Sequence, residues 1–384
     1  MKPPPLSLYV HLPWCVRKCP YCDFNSYSGG ADAPRQRYLD ALLVDLEQEG
    51  ERAAARRIET VFLGGGTPSL FSPEEIARLL RGIRSIFQVA DAAEITMEAN
   101  PGTVESASPA AYREAGVTRL SIGAQSLNDE ALERLGRIHK RDDVIRVAEE
   151  SRAAGFDSFN IDLMHGLPGQ SVQQALDDVH AVIGMRPPHI SWYQLTLEPN
   201  TVFFARPPQD LPAEDTAYEI QELGARLLTD AGYVQYEVSA FARDAQACRH
   251  NLNYWLFGDY LAAGAGAHGK LTTGDGIHRY RKPANPQQYM MAMEAGDADI
   301  AMSPVPGDEL LFEFMLNALR LSDGFDEELF AERTGLDKGQ LEEAMRPALE
   351  KALVARDGES RWRPTDLGRR FLNDLQASFL PADG

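Results

Sequence analysis

The run Tyr9-Val10-His11-Leu12-Pro13-Trp14-Cys15-Val16-Arg17-Lys18-Cys19-Pro20-Tyr21-Cys22-Asp23-Phe24 decides how the rest of the chain is read. It opens as an apolar, strand-like stretch and ends in a proline-stiffened loop spaced Cys-x3-Cys-x2-Cys. The 384 residues hold only 4 cysteines, too few and too clustered for the disulfide framework of a small secreted domain. The three neighbouring thiols therefore read as ligands. Two fillings compete. A zinc knuckle would recruit His11 as its fourth ligand. An iron–sulfur cube on three cysteines leaves one iron open to a small molecule.

Working outward, short β-branched runs alternate with helical patterns. Strands are predicted at Leu6–His11, Thr60–Leu63, Glu94–Glu98, Arg119–Ile122, Phe159–Leu163 and Ile190–Thr196. Ser72-Pro73-Glu74-Glu75 signals a helix start, with a cap, a first-turn proline and acids at the positive end of the dipole. This alternation predicts an α/β fold: a parallel sheet curled into a partial (β/α)6 TIM-like barrel, with an open doubly wound sheet as the rival. Chemistry then belongs at the C-terminal strand ends. There the sequence places the cysteines, Gly64-Gly65-Gly66-Thr67-Pro68, Glu98, Gln125 and Asp162-Leu163-Met164-His165-Gly166.

A domain of residues 1–240 is expected, followed by a smaller, mainly helical unit of residues 241–384. Its tail reads helix (Gln340–Ala352), strand, Asp357-Gly358 turn, strand, and a Thr365-capped helix, the order of a winged helix. The chain carries 57 acidic against 38 basic residues, a net charge of −19, which disfavours nucleic acid as partner. Arginines 356, 361, 363, 369 and 370 are interleaved with acids, so partner docking is the better reading for the tail. No run of about 18 apolar residues is present, and Met1 to Trp14 lacks a signal-peptide pattern. A cytoplasmic protein is expected, at most peripherally associated with membranes, with a homodimer possible.

The cysteine loop with the Gly-Gly-Gly-Thr-Pro strand end resembles the radical S-adenosylmethionine (SAM) superfamily. Tyr9 to Cys15, with Pro20-Tyr21-Cys22-Asp23-Phe24, is similar to the oxygen-independent coproporphyrinogen III oxidase group and its heme chaperone branch. The resemblance runs from about Ser7 to Gly269, with a looser match beyond. It implies a [4Fe-4S] cluster on Cys15, Cys19 and Cys22, with SAM on the open iron and reductive cleavage to a 5′-deoxyadenosyl radical. It also implies that Gly65, Gly66 and Thr67 form the cofactor cradle, glycine permitting close backbone approach. By the same resemblance Arg137 matches the cation for the SAM carboxylate. Gln125 and Asp162 match ribose contacts, Glu98 a further SAM contact, and Tyr9 a residue beside the cluster.

Two departures separate this chain from the oxidase pattern. Phe24 stands where the oxidase has a fourth cysteine, and only fourteen residues precede Cys15. Whether the chain is an enzyme stays open on the sequence. His250-Asn251-Leu252-Asn253-Tyr254-Trp255 is similar to the signature of the heme chaperone branch. It makes His250 the expected axial heme ligand, with Cys248 and His268 as alternatives. The expected function is a heme chaperone that delivers heme to a heme-dependent respiratory apoprotein. A coproporphyrinogen III oxidase and a radical SAM methyltransferase are the competing functions.

Overall fold

Six strands succeed one another along the chain: β1 (Leu6–Leu12), β2 (Ile58–Gly65), β3 (Val89–Ala99), β4 (Arg119–Gln125), β5 (Ser158–His165) and β6 (His189–Gln194). Each pairs in parallel with the next. The computed structural model describes residues 3–102, 108–243, 245–296 and 300–381. Helices Arg35–Ala53, Pro73–Ile86, Arg141–Ala153 and Val172–Met185 fill the crossovers. Two of them start in capping boxes, Ser72 with Glu75 and Ser171 with Gln174, each satisfying two otherwise orphaned N–H groups.

Strand alternation explains both the core and the site. On β4, Leu120 and Ile122 join the main core, while Arg119, Ser121 and Gly123 face inward. On β5 the split is Phe159, Ile161 and Leu163 against Asn160, Asp162 and Met164. On β6, Ile190 and Trp192 pack outward and His189, Ser191 and Tyr193 inward. The helices thus bury one apolar face of the sheet, and the concave face keeps its polar side chains.

The expected six-stranded core is present, and more strands extend it on both sides. Beyond β6, strand β8 (Ala240–Ala242) pairs antiparallel with it, and β7 (Val234–Glu237) pairs antiparallel with β8. Beyond β1, strand β9 (Asp259–Ala263) pairs in parallel, followed by β10 (His268–Thr273), β11 (Gly276–Arg281) and β12 (Ser303–Pro304). Among the described residues the sheet is a linear row of twelve strands, β12-β11-β10-β9-β1-β2-β3-β4-β5-β6-β8-β7, with no pairing between its ends. The boundary drawn at residue 240 from the change in composition therefore falls inside one sheet. The physical reason is the edge of β1, which β9 covers with the run Leu261-Ala262-Ala263, buried throughout.

A second core gathers Phe257 and Ile277 with residues from Phe314 to Phe379. It holds helices Leu310–Ala318, Glu327–Thr334 and Lys338–Glu350 and a small sheet of Phe325–Asp326, Val354–Asp357 and Arg361–Pro364. This is the winged-helix order. The Thr365 cap forms, and its helix breaks at Phe371 into Asp366–Arg370 and Leu372–Ala377. Arg356 pairs with Glu327 and Glu342, Arg361 with Asp326 and Arg369 with Asp366, while Arg370 stacks on Tyr218. Most of the tail's basic side chains are therefore spent on internal partners. No helix among the described residues is long and apolar enough to cross a membrane.

Candidate functional site

A single cavity of about 660 Å³ opens at the C-terminal strand ends and runs down the concave face of the sheet. Its size falls in the range of small-molecule and cofactor pockets. Cys15, Cys19 and Cys22 line its mouth. The loop that carries them is pinned from three sides. Trp14–Cys15 pairs with Tyr27–Ser28, and the Gly66 and Thr67 N–H groups donate to the Leu12 and Trp14 carbonyls at 2.8 Å each. Asn25 Nδ2 donates to the carbonyls of Ala265 and Ala284.

All three thiols are free. Burial pushes the Cys15 and Cys22 thiols up, partly offset by hydrogen bonds from Thr67 and Ser26 for Cys15 and mainly from Ser26 for Cys22. Such thiols stay protonated until a metal displaces the proton. The zinc alternative loses its fourth ligand. His11 is hydrogen-bonded through Nε2 to the Asn25 carbonyl at 2.8 Å and through Nδ1 to the Tyr9 hydroxyl at 3.0 Å. Among the described residues, no three His, Cys, Asp or Glu side chains converge closely enough to share one ion. Three thiols serving three different irons need no such convergence, so the donor set fits a cube with an open iron.

Gly65 and Gly66 were expected to make room for a cofactor, and the structure gives them a further task. Gly65 has φ +119°, and a Cβ there would stand 2.5 Å from the His11 ring. A Cβ on Gly66 would meet the Trp14 carbonyl oxygen at 2.6 Å. These glycines let β2 close against the cysteine loop.

The other expected cofactor contacts converge on the same cavity, with one exception. Arg137 is no solvated surface residue: Nη2 donates to the Gly123 carbonyl at 2.7 Å, and Nη1 lies 3.8 Å from Cys19 Sγ. Gln125 sits past an irregularity in β4 with φ +70°, and its Oε1 accepts from the Tyr193 hydroxyl at 2.6 Å. A bulge of this kind re-aims a side chain at a site. Asp162 accepts from Asn160 Nδ2 at 2.7 Å and Ser121 Oγ at 3.2 Å. Tyr9 is the exception. It stands behind the loop, holding His11 and stacking on Phe62.

Glu98 Oε2 accepts the Gly65 N–H at 2.9 Å. Burial lifts its carboxyl to about 7, the Gly65 bond pulls down and the Asp162 charge adds to the rise. The folded protein therefore binds an extra proton between the ordinary 4.5 and about 7. That contribution to stability is complete below the lower value and lost as pH rises through the upper one. Without ligands, the melting temperature of the wild type is expected to fall between pH 5 and pH 8 by more than that of Glu98→Gln. Parallel curves for the two proteins would refute the assignment.

The His-Asn-x-x-Tyr-Trp stretch forms the helix Arg249–Trp255. Its N-terminus is capped from β3 by Glu94, which accepts the N–H groups of Arg249 and His250. Helical periodicity splits the motif into two faces. Asn251 and Trp255 line the cavity. His250 and Tyr254 face the sheet, where His250 is hydrogen-bonded to Thr60 Oγ1 and to the Tyr254 hydroxyl, both at 2.8 Å. Both ring nitrogens are engaged. The structure thus sets His250, the expected axial heme ligand, behind the cavity wall rather than on it. Cys248 is buried against Glu94 with its thiol pushed up to about 12, chiefly by burial, and His268 lies exposed on β10.

Sequence reading missed Arg119, Ser121, Asn160, His189 and Ser191, all of which line the cavity. The available signal was period-2 alternation within strands that look apolar as wholes.

The radical SAM superfamily model matches residues 9–182, and the HemN C-terminal domain model matches residues 305–371. The chain is 47% identical over 385 residues to heme chaperone HemW of Haemophilus influenzae, covering 99% of each. The same figures hold for heme chaperone HemW of Escherichia coli. Coproporphyrinogen III oxidase (HemN) from Escherichia coli matches in fold with a TM-score of 0.83, covering 100% of this chain and 91% of that one at 24% identity. By this identity over almost its whole length, the chain belongs to the HemW heme chaperone family of the radical SAM superfamily.

Proposed function

We propose that this chain binds heme and passes it to a heme-dependent apoprotein, with a [4Fe-4S] cluster on Cys15, Cys19 and Cys22 and SAM beside it. The observation that carries this reading is the continuity of one cavity from the three thiols to Trp255, whose wall mixes apolar side chains such as Phe24, Phe62, Met164 and Leu195 with polar ones. When bound, the reduced cluster supplies one electron to SAM for cleavage of its S–C5′ bond. The chain's own residues have separate tasks. Arg137 offers a guanidinium to a carboxylate next to Cys19. Gln125 and Asp162, fixed by Tyr193, Asn160 and Ser121, present oxygens to hydroxyl groups. Glu98, near neutrality in its titration, can hold or release a proton beside a cation.

Phe24 at the rim is 58% exposed and gives no thiolate where the oxidase pattern has one, which favours transport over oxidation. The four free thiols suit a reducing compartment, so we place the protein in the cytoplasm. The test is anaerobic. Cluster-loaded protein is given SAM, reductant and coproporphyrinogen III, and a parallel sample is loaded with heme and mixed with an apo-cytochrome. Heme transfer without catalytic turnover is expected. Protoporphyrinogen formed over many turnovers would overturn the reading in favour of the oxidase. In the same assay His250→Ala should keep the Soret band of the bound heme while melting earlier, because it loses two buried hydrogen bonds.

A further inference from the structure

The cavity has a cation at each end. Arg137 stands at the mouth, bonded to the Gly123 carbonyl. Arg119 opens the same strand, four residues before Gly123, which at about 3.3 Å per residue places it roughly 13 Å deeper. The carboxylate of a SAM molecule seated by the cysteines therefore belongs to the Arg137 end.

Arg119 is 2% exposed and lines the cavity. Among the described residues its buried Nε has no hydrogen-bond partner, and no carboxylate lies within ion-pair distance of its guanidinium. The two carboxylates whose charge reaches it are Glu94 and Asp162, and both are committed elsewhere. Glu94 caps the helix Arg249–Trp255 and takes the Cys248 thiol. Asp162 takes Asn160 and Ser121. A guanidinium carries five N–H donors in a fixed fork, and burying it unpaired is costly. The wall around it adds Trp255, whose buried indole Nε1 also lacks a partner among the described residues.

We propose that Arg119 anchors a carboxylate of the cargo, a heme propionate entering the inner end of the cavity with the macrocycle lying toward Trp255. The proposal rests on the heme reading above. A singly charged carboxylate suits the place better than a phosphate, because Glu94 and Asp162 already put negative charge nearby. Arg320 stacks on Trp255 at 4.3 Å but is paired with Glu237 at 3.0 Å, which leaves Arg119, among the described residues, as the cation at this end with no carboxylate in direct contact.

The test is a chemical double-mutant cycle. Hemin and hemin dimethyl ester are titrated into wild type and Arg119→Met, followed by Soret absorbance and tryptophan quenching, with SAM binding measured separately by equilibrium dialysis. Wild type should prefer hemin over the ester by about 10- to 100-fold, the size of a charge-assisted hydrogen bond. Arg119→Met should lose that factor for hemin, bind the ester as wild type does, and bind SAM unchanged. Equal losses for hemin and ester, or no loss, would overturn the proposal. So would a matching loss of SAM affinity, which would give Arg119 to SAM. Should Arg119→Met fail to fold, the wild-type preference decides alone, and its absence refutes the anchor. Wild type that binds neither porphyrin sinks the heme reading itself, and the anchor with it.

Discussion

Replacing any one of Cys15, Cys19 or Cys22 by alanine is expected to abolish the brown visible absorbance of the reconstituted protein, while far-ultraviolet circular dichroism stays close to wild type. The asymmetry follows from where the thiols stand. They line the cavity mouth on a loop held by backbone bonds, by Asn25 and by the pairing of Trp14–Cys15 with Tyr27–Ser28. None of the three belongs to the main core. A cube held by three thiolates has no spare ligand in the loop, since His11 is committed to Tyr9 and Asn25. Iron content near zero in each single variant is the expected result. A cluster that persists in the triple variant would show that the ligands lie elsewhere.

Gly66→Ala is expected to do comparable damage to the site without touching a ligand. The new methyl would stand 2.6 Å from the Trp14 carbonyl oxygen and 2.7 Å from the Pro13 carbonyl carbon, both backbone atoms. No rotamer can relieve contact with backbone, so the strand end or the cysteine loop must move. The Gly66 and Thr67 N–H bonds to Leu12 and Trp14 are in the path of that movement. Overpacking of this kind costs about 1–3 kcal/mol, and each lost buried hydrogen bond adds about 1 kcal/mol. The expected outcome is a lower melting temperature together with a several-fold loss of reconstituted iron. Unchanged iron content and melting temperature would mean that the strand end has room the geometry denies.

Much of the fold was legible because its signals are local. All six parallel strands and the helix starts at Ser72 and Ser171 follow from alternation and capping chemistry. The winged-helix order of the tail follows from one turn and one cap. Strand β9 was not legible, since Leu261-Ala262-Ala263 lies in a glycine- and alanine-rich stretch whose pairing with β1 spans some 250 residues of chain. The mouth of the site was legible because thiols and glycines are rare and clustered there. Its inner end was not. Arg119 reads as an ordinary charge at a strand start, and only the sheet shows that it faces inward. The surroundings of His250 were equally hidden, because its partners Thr60 and Tyr254 come from β2 and from one helical turn onward.

Arg320 connects the two cores. It belongs to the C-terminal unit, yet it lies across Trp255 and is tied to Glu237 on β7, while the Ser322 N–H donates to the Tyr236 carbonyl. The winged-helix unit is thus part of the vessel wall and not a lid or a tag carried beside it. Any shift of that unit therefore drags Arg320 across Trp255, so the position of the C-terminal unit and the shape of the space inside are mechanically one variable.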